Sequence, residues 1–407
     1  MPVERLWRSS AYSCGIAVPE MRYAHEGVKS RQHLGRVWRL FGLLVVAWSC
    51  SGCLGARIVY YNRPTLASVR NFDNRAVRPS NAPLPLPRSD REARFPLDGT
   101  ELASFGSLEG LLAQAETRAF LVIHRDQLVY ERYFRGVSEH TLLPGFSMSK
   151  TFAAALVGRA LSQGVLESLD RPVTDYIPEL ASAPGYRAVT LDQLLRMTSG
   201  IDFNEESLAG AKFYYSTDLR DQLYSYDVKW RPGSHYLYGS VNIQLLWDVL
   251  HRSLGGETVA HYFERAFWRP IGAEQPASWS LDSESSGIEK FFGGFNATAR
   301  DQARLGLLFL HRGSINGRQI LPSAWVERAL TPDPIAGWVH TTDGWVRRGA
   351  YQWFLTRDGR GYFAKGYNGQ YVFVVPARHA VFVRFGEGYA NVDWPALFLR
   401  LADSFGD

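Results

Sequence analysis

Apolar and polar positions change period along the chain, and the changes mark out elements. Leu108 to Ala115 has helical character. Phe120-Leu-Val-Ile-His124 and Leu128-Val-Tyr-Glu-Arg-Tyr-Phe134, rich in β-branched and aromatic residues, flank a polar Arg125-Asp126 and predict a β-hairpin. After Gly145 the apolar residues Phe152, Ala155, Leu156 and Ala160 recur at helical spacing, and Gly164 supplies a stop. Leu191 to Met197 and Val241 to Leu254 read as further helices, and Asp301 precedes another through Leu305, Leu308 and Phe309. The aromatic run from Phe213 to Tyr226 has no clean period, which leaves it as a cover over a site or as core. Toward the C-terminus the pattern returns to strands in Tyr351–Leu355, Tyr362–Ala364, Tyr371–Val375 and Val381–Phe385, before a closing helix over Trp394–Ala402. Strands at both ends with helices between them predict α/β layers in one domain, with a sheet assembled from distant parts of the chain.

Composition refines the boundaries. The 407 residues are 46% hydrophobic and 14% aromatic, enough to bury a large core. Residues 1–95 carry 15 Lys/Arg against 6 Asp/Glu, whereas 96–407 carry 30 against 34, so the excess of positive charge lies outside the predicted domain. A nucleic-acid partner needs a basic face on the domain itself, and none is expected here. The apolar stretch Leu40–Trp48 follows Arg31, Arg36 and Arg39 and ends in small residues, the layout of an export signal. Ser51-Gly52-Cys53 is similar to the end of a lipoprotein signal; an uncleaved anchor reaching through Ile58–Tyr61 and a buried strand are the alternatives. These features divide the chain into a leader at 1–53, an Arg/Pro/Asn-rich linker at 54–95 and a domain at 96–407. They place the protein in the cell envelope, periplasmic and held at the membrane through its N-terminal segment. Cys14, Cys50 and Cys53 all precede the domain, and no Cys/His cluster has zinc-ligand spacing, so no metal or other cofactor is expected.

The candidate chemistry begins at Ser147-Met-Ser-Lys150, where the predicted helix starts. Serine and lysine three residues apart share a helix face and can point into one pocket. A serine hydroxyl is a weak nucleophile until a neighbouring base takes its proton, and a lysine can be that base. One such motif decides little by itself. Two further polar stations accompany it: Tyr238-Gly-Ser240 on a loop before an apolar helix, and Lys365-Gly-Tyr367-Asn368-Gly369-Gln370 leading into a strand. Taken together, these residues resemble the serine β-lactamase and penicillin-binding-protein superfamily, chiefly its class C and esterase-like branch with the 6-aminohexanoate-dimer hydrolases. Gly164–Val173, Thr190–Gly200 and Thr298–Gly306 are similar to that family's framework segments, in the same order.

The resemblance implies a β-lactamase/transpeptidase-like fold with a mainly antiparallel sheet, flanking helices and a helical insert region. It implies Ser147 as the acylated nucleophile, Lys150 as its base partner, Tyr238 as the proton relay, and the main-chain N–H groups of Ser147 and Gln370 as the oxyanion hole. Ser240, Tyr367, Asn368 and Gly369 would border the substrate. Two departures point away from β-lactams: Ser240 replaces asparagine, and Tyr367-Asn-Gly369 replaces the Lys-Thr-Gly whose lysine sits near a substrate carboxylate. The 6-aminohexanoate-dimer hydrolases resemble this chain at both places, which favours a small ester, linear amide or peptide substrate. The alternatives are a D,D-carboxypeptidase or β-lactamase using Lys365 for the carboxylate, a non-catalytic envelope binding module, and an anchored structural protein. Each picked residue also has an ordinary structural use, Ser147 as a helix cap and Gly369 as a turn glycine among them.

Overall fold

The computed structural model describes residues 54–97, 103–342 and 344–406. Its frame is an eight-stranded antiparallel sheet that runs in the order β3 (Gln127–Tyr133), β2 (Thr117–His124), β14 (Ala380–Gly386), β13 (Gln370–Val375), β12 (Tyr362–Gly366), β11 (Phe354–Leu355), β10 (Gly344–Arg348) and β9 (Trp338–Thr341). The hairpin β2 (Thr117–His124) and β3 (Gln127–Tyr133) turns at Arg125 and Asp126, both left-handed at φ 48° and 64°. A two-residue turn of this kind has the twist that adjoining strands need. The first strand then lies beside the last, with Val122 of β2 opposite Phe382 of β14 (Ala380–Gly386).

Alternation along these strands fills two separate cores. Phe120, Val122, Tyr371, Phe373 and Phe382 face helices α2 (Leu108–Gln114) and α7 (Trp394–Asp403), where Phe398 stacks on them. Leu121, Ile123, Val372, Val374 and Val381 face the opposite way, toward α3 (Ser149–Ser162) and α6 (Ala299–Leu310). A side-chain period of two makes this division automatic once both faces are covered. Truncating a fully buried Phe382 to alanine would cost roughly 3–5 kcal/mol.

A second sheet does the positioning. Its order is β1-β5-β6-β4, with β1 (Asn74–Val77), β4 (Leu143–Pro144), β5 (Ala277–Ser280) and β6 (Phe295–Ala297) all antiparallel. Strand β4 runs into the Ser147 turn and β6 leaves the loop around Phe292, so their pairing brings those two loops together. Between β4 and β5 in the chain come the insert helices α4 (Leu208–Tyr215) and α5 (Ser240–Ser253). The remaining strands are a short β7 (Ser314–Ile315) and β8 (Arg318–Gln319) ladder, then β9 (Trp338–Thr341), β10 (Gly344–Arg348), β11 (Phe354–Leu355), β12 (Tyr362–Gly366) and β13 (Gln370–Val375). The expected layered α/β architecture, with a mainly antiparallel sheet built from both chain ends, is the architecture found.

Two expectations are corrected. The stretch 54–95 is not a free linker: α1 (Leu54–Tyr61) packs on α4, β1 pairs with β5, and Leu128 and Val129 of β3 exchange main-chain hydrogen bonds with Pro87, Ser89 and Ala93. Leu54 belongs to the same unit as the sheet. Its sequence lacks a period because its partners are distant edges, and a segment that adds to another element's edge needs no amphipathic face of its own. The expected strand at 351–355 shrinks to Phe354–Leu355, because Gln352 is left-handed at φ 67°. Residues 1–53, with the apolar stretch and all three cysteines, lie outside the described residues. Among the described residues no helix is long and apolar enough to cross a membrane.

Candidate active site

From β4 the chain passes Gly145 into a single tight turn, Phe146–Met148, and then into α3. Phe146 is buried and left-handed at φ 48°, a conformation a bulky residue holds only where its surroundings enforce it. That bend sets Ser147 at the mouth of the turn with Lys150 beneath it. Lys150 is 2% exposed, and its Nζ donates to Ser147 Oγ at 3.2 Å and to the Phe292 carbonyl at 2.9 Å. Among the described residues no carboxylate pairs with it. Aromatic faces close around the amine instead, the Tyr238 ring centroid at 5.0 Å and that of Phe292 at 5.8 Å. The Phe292 loop is itself held rigidly: Phe291 N–H donates to Gln244 of α5 at 3.0 Å and Phe295 N–H to Ser149 Oγ of α3 at 3.0 Å.

Tyr238 arrives on a loop tied to the Thr190–Gly200 segment, through Gly233 N–H to Thr198 O at 2.7 Å and Leu237 N–H to Met197 O at 3.0 Å. It is half-buried, and among the described residues its hydroxyl has no hydrogen-bond partner. Two residues on, Ser240 opens α5 and is committed elsewhere. Its N–H and its Oγ both donate to the Glu205 carboxylate, at 2.6 Å each. A carboxylate at the first turn of a helix is favoured by the dipole and by otherwise unpaired N–H groups. Burial, with Glu205 as a further cause, also holds the protons on Tyr226 and Tyr236, the latter pushed up to about 12.

The third station is the hairpin tip between β12 and β13. Asn368 and Gly369 are left-handed at φ 61° and 77°, which asparagine and glycine tolerate. Gly366 lies flush on the Ser147 turn, where an added Cβ would stand 2.1 Å from the Gly145 carbonyl oxygen. Gln370 uses its side chain as a cross-strand clamp, donating to Tyr367 O at 2.8 Å and Gly386 O at 2.7 Å and accepting from Gly386 N–H at 2.9 Å, so only its main chain is left for chemistry. Tyr367 is 42% exposed, its ring edge-on to Phe146 at 6.1 Å, while Asn368 Nδ2 donates to the Pro64 carbonyl at 3.0 Å.

The stations therefore converge unequally. Ser147, Lys150 and Tyr238 meet around one amine, and the 367–370 tip packs against the same turn. Ser240 and the Gln370 side chain are structural ties. Lys365 is not at the site: it pairs across the ladder with Tyr371, whose face is the α2/α7 side of the sheet, and donates to Thr342 Oγ1 at 2.6 Å. Its odd position relative to Gly366 forces that. Sequence reasoning missed Glu205 and the Phe292 carbonyl; a glutamate before α4 and a main-chain oxygen carry no motif. In the undecided aromatic segment Phe213 is core, and Tyr214 sits with Phe213 against Phe292, whose carbonyl accepts from Lys150.

Residues 108–397 match the family model described as Beta-lactamase. The chain is 28% identical over 300 residues to the 6-aminohexanoate-dimer hydrolase of Paenarthrobacter ureafaciens, covering 68% of this chain and 74% of that protein. A solved Bacillus anthracis structure, provisionally assigned as a 6-aminohexanoate-dimer hydrolase, superposes with a TM-score of 0.70 at 24% identity, over 83% of this chain and 92% of its own. A family VIII carboxylesterase shares the fold with a TM-score of 0.55 at 17% identity, over 70% and 91%. The matched region holds all three stations and most of both cores, and the chain belongs to the β-lactamase family of hydrolases.

Proposed function

We propose that this hydrolase is a serine enzyme that opens a small ester or linear amide through an acyl-enzyme on Ser147. The observation that carries the reading is the buried Lys150 amine, in contact with Ser147 Oγ at 3.2 Å and without a carboxylate partner among the described residues. Such an amine can take the serine proton as the hydroxyl oxygen attacks the acyl carbon. Negative charge then gathers on the carbonyl oxygen, and the N–H groups of Ser147 and Gln370 are the donors proposed to hold it. As the tetrahedral intermediate collapses, the bond to the leaving oxygen or nitrogen breaks, and the proton reaches that atom through Tyr238, whose hydroxyl has no other hydrogen-bond partner among the described residues. Water, deprotonated by the same groups, attacks the acyl-Ser147 ester, releasing the acid and restoring the serine.

Linear esters and amides are favoured over β-lactams because the third station carries Tyr367-Asn368-Gly369 and Lys365 lies on the other face of the sheet. The Paenarthrobacter relative is named for hydrolysis of an amide-linked dimer, which accords with this preference. The leader supports an envelope location, with the apolar stretch and Cys53 next to the start of α1. The test is steady-state hydrolysis of p-nitrophenyl esters by the wild type and Ser147→Ala. Turnover is expected to vanish in the variant with the fold unchanged by circular dichroism; equal turnover in both would refute the assignment.

A further inference from the structure

The segment after α1 touches more of the site than its distance in sequence suggests. Tyr61 stacks on Tyr215 at 5.8 Å between ring centroids, and Tyr215 in turn donates its hydroxyl to the Asn62 carbonyl at 3.1 Å. Pro64 offers its carbonyl to Asn368 at the hairpin tip. Phe72 packs edge-on to Tyr214 at 5.4 Å and lies against Tyr215 at 6.1 Å, with the buried Lys290 amine over its ring at 4.8 Å. Lys290 also donates to the carbonyls of Tyr214 and Ser216, at 2.9 and 3.2 Å, at the end of α4. Ser68 and Phe72 line a small cavity with Pro144, three residues before the candidate nucleophile.

We infer that residues Tyr61–Phe72 form a positioning strap for the active site, holding the Tyr367–Gly369 tip, and with it the Gln370 N–H, in place against the Ser147 turn. The inference rests on the acyl-transfer reading above. On its sheet side the tip is already fixed, by Arg384 donating to Gly369 O at 2.6 Å and by the Gln370 side-chain clamp. Its opposite side is held through Asn368, which reaches out to Pro64. A hairpin tip is the part of a sheet that opens most readily, and misplacing a catalytic group by about 1 Å can reduce a rate by about 100-fold. Asn368, which looked like a substrate contact, thus spends its side chain on the strap.

The experiment compares full-length wild type with Asn368→Gly and Tyr215→Phe. Glycine keeps the left-handed backbone while deleting the amide donor, and phenylalanine keeps the stacked ring while deleting the hydroxyl, so the second variant serves if the first folds poorly. Kinetics with p-nitrophenyl butyrate are read beside amide hydrogen exchange at 366–371. Expected are a kcat lowered roughly tenfold in Asn368→Gly and less in Tyr215→Phe. KM should stay within about twofold, with faster exchange confined to the tip. Unchanged kcat and unchanged tip exchange in both variants would overturn the strap. Wild-type turnover that survives Ser147→Ala would strike the acyl-transfer chemistry instead, and the two failures are separable because exchange at the tip does not depend on the reaction.

Discussion

The Ser147 turn and the hairpin tip stand against one another across the candidate site, yet they are built on opposite principles. Ser147 and Lys150 sit three residues apart on one turn entering α3, and their contact follows mainly from that local spacing. The tip takes its shape from elsewhere: Arg384 behind it, Gly386 beside it and Pro64, 304 residues away in sequence, in front. A local arrangement is readable in the sequence as a motif. An arrangement collected from distant segments carries no local spacing to read, and this is where the chain departs from Lys-Thr-Gly.

If the Ser147 turn carries the chemistry, the largest effect after loss of Ser147 should come from Lys150→Met, a neutral side chain of similar length. The expected fall in kcat/KM for a p-nitrophenyl ester is on the order of 10²–10⁴-fold, the usual range for a general base. Tyr238→Phe should cost less, on the order of 10–10²-fold, and more for an amide than for an ester, because an amine leaving group needs the relayed proton. Equal losses for both substrates would argue against the relay.

The strap side of the comparison gives a stability signature. Burial pushes the Lys290 amine down from 10.5 to about 7, with Asp282 opposing and Arg57 assisting. Between those values the unfolded chain holds a proton that the fold has released, so stability should rise as pH rises from about 7 toward 10.5. The slope is at most about 1.4 kcal/mol per pH unit. Urea unfolding of wild type and Lys290→Met across that window should show the extra slope in the wild type alone; parallel curves would mean that the lysine does not titrate there. The smallest effect belongs to Lys365→Ala. It removes a hydrogen bond to Thr342 on the far face of the sheet, so kcat/KM for neutral esters should stay within about twofold. A tenfold loss would put Lys365 back at the site.

The same contrast explains what the sequence disclosed. β2, β13 and β14 are legible as unbroken runs of β-branched and aromatic residues because both faces are buried against helices, and Ser147, Lys150 and Tyr238 stand out because motif spacing is local. Ser240 and Gln370 stand out by their position along the chain, but the ties that their side chains make do not. Their partners, Glu205 and Gly386, are set by folding and not by spacing. The segment 54–95 was unreadable for a related reason: Arg- and Pro-rich chain that pairs with distant strand edges resembles a linker until those edges exist. Strand β5, buried on both faces in all four residues, shows no alternation to detect.

The central claim is that Ser147 becomes covalently acylated. Intact mass spectrometry after incubation with a fluorophosphonate, with peptide mapping and the Ser147→Ala variant alongside, tests it most directly. The account predicts one label per chain on Ser147 and none on the variant. An unlabelled, folded wild type, or a label that persists in Ser147→Ala, would contradict it.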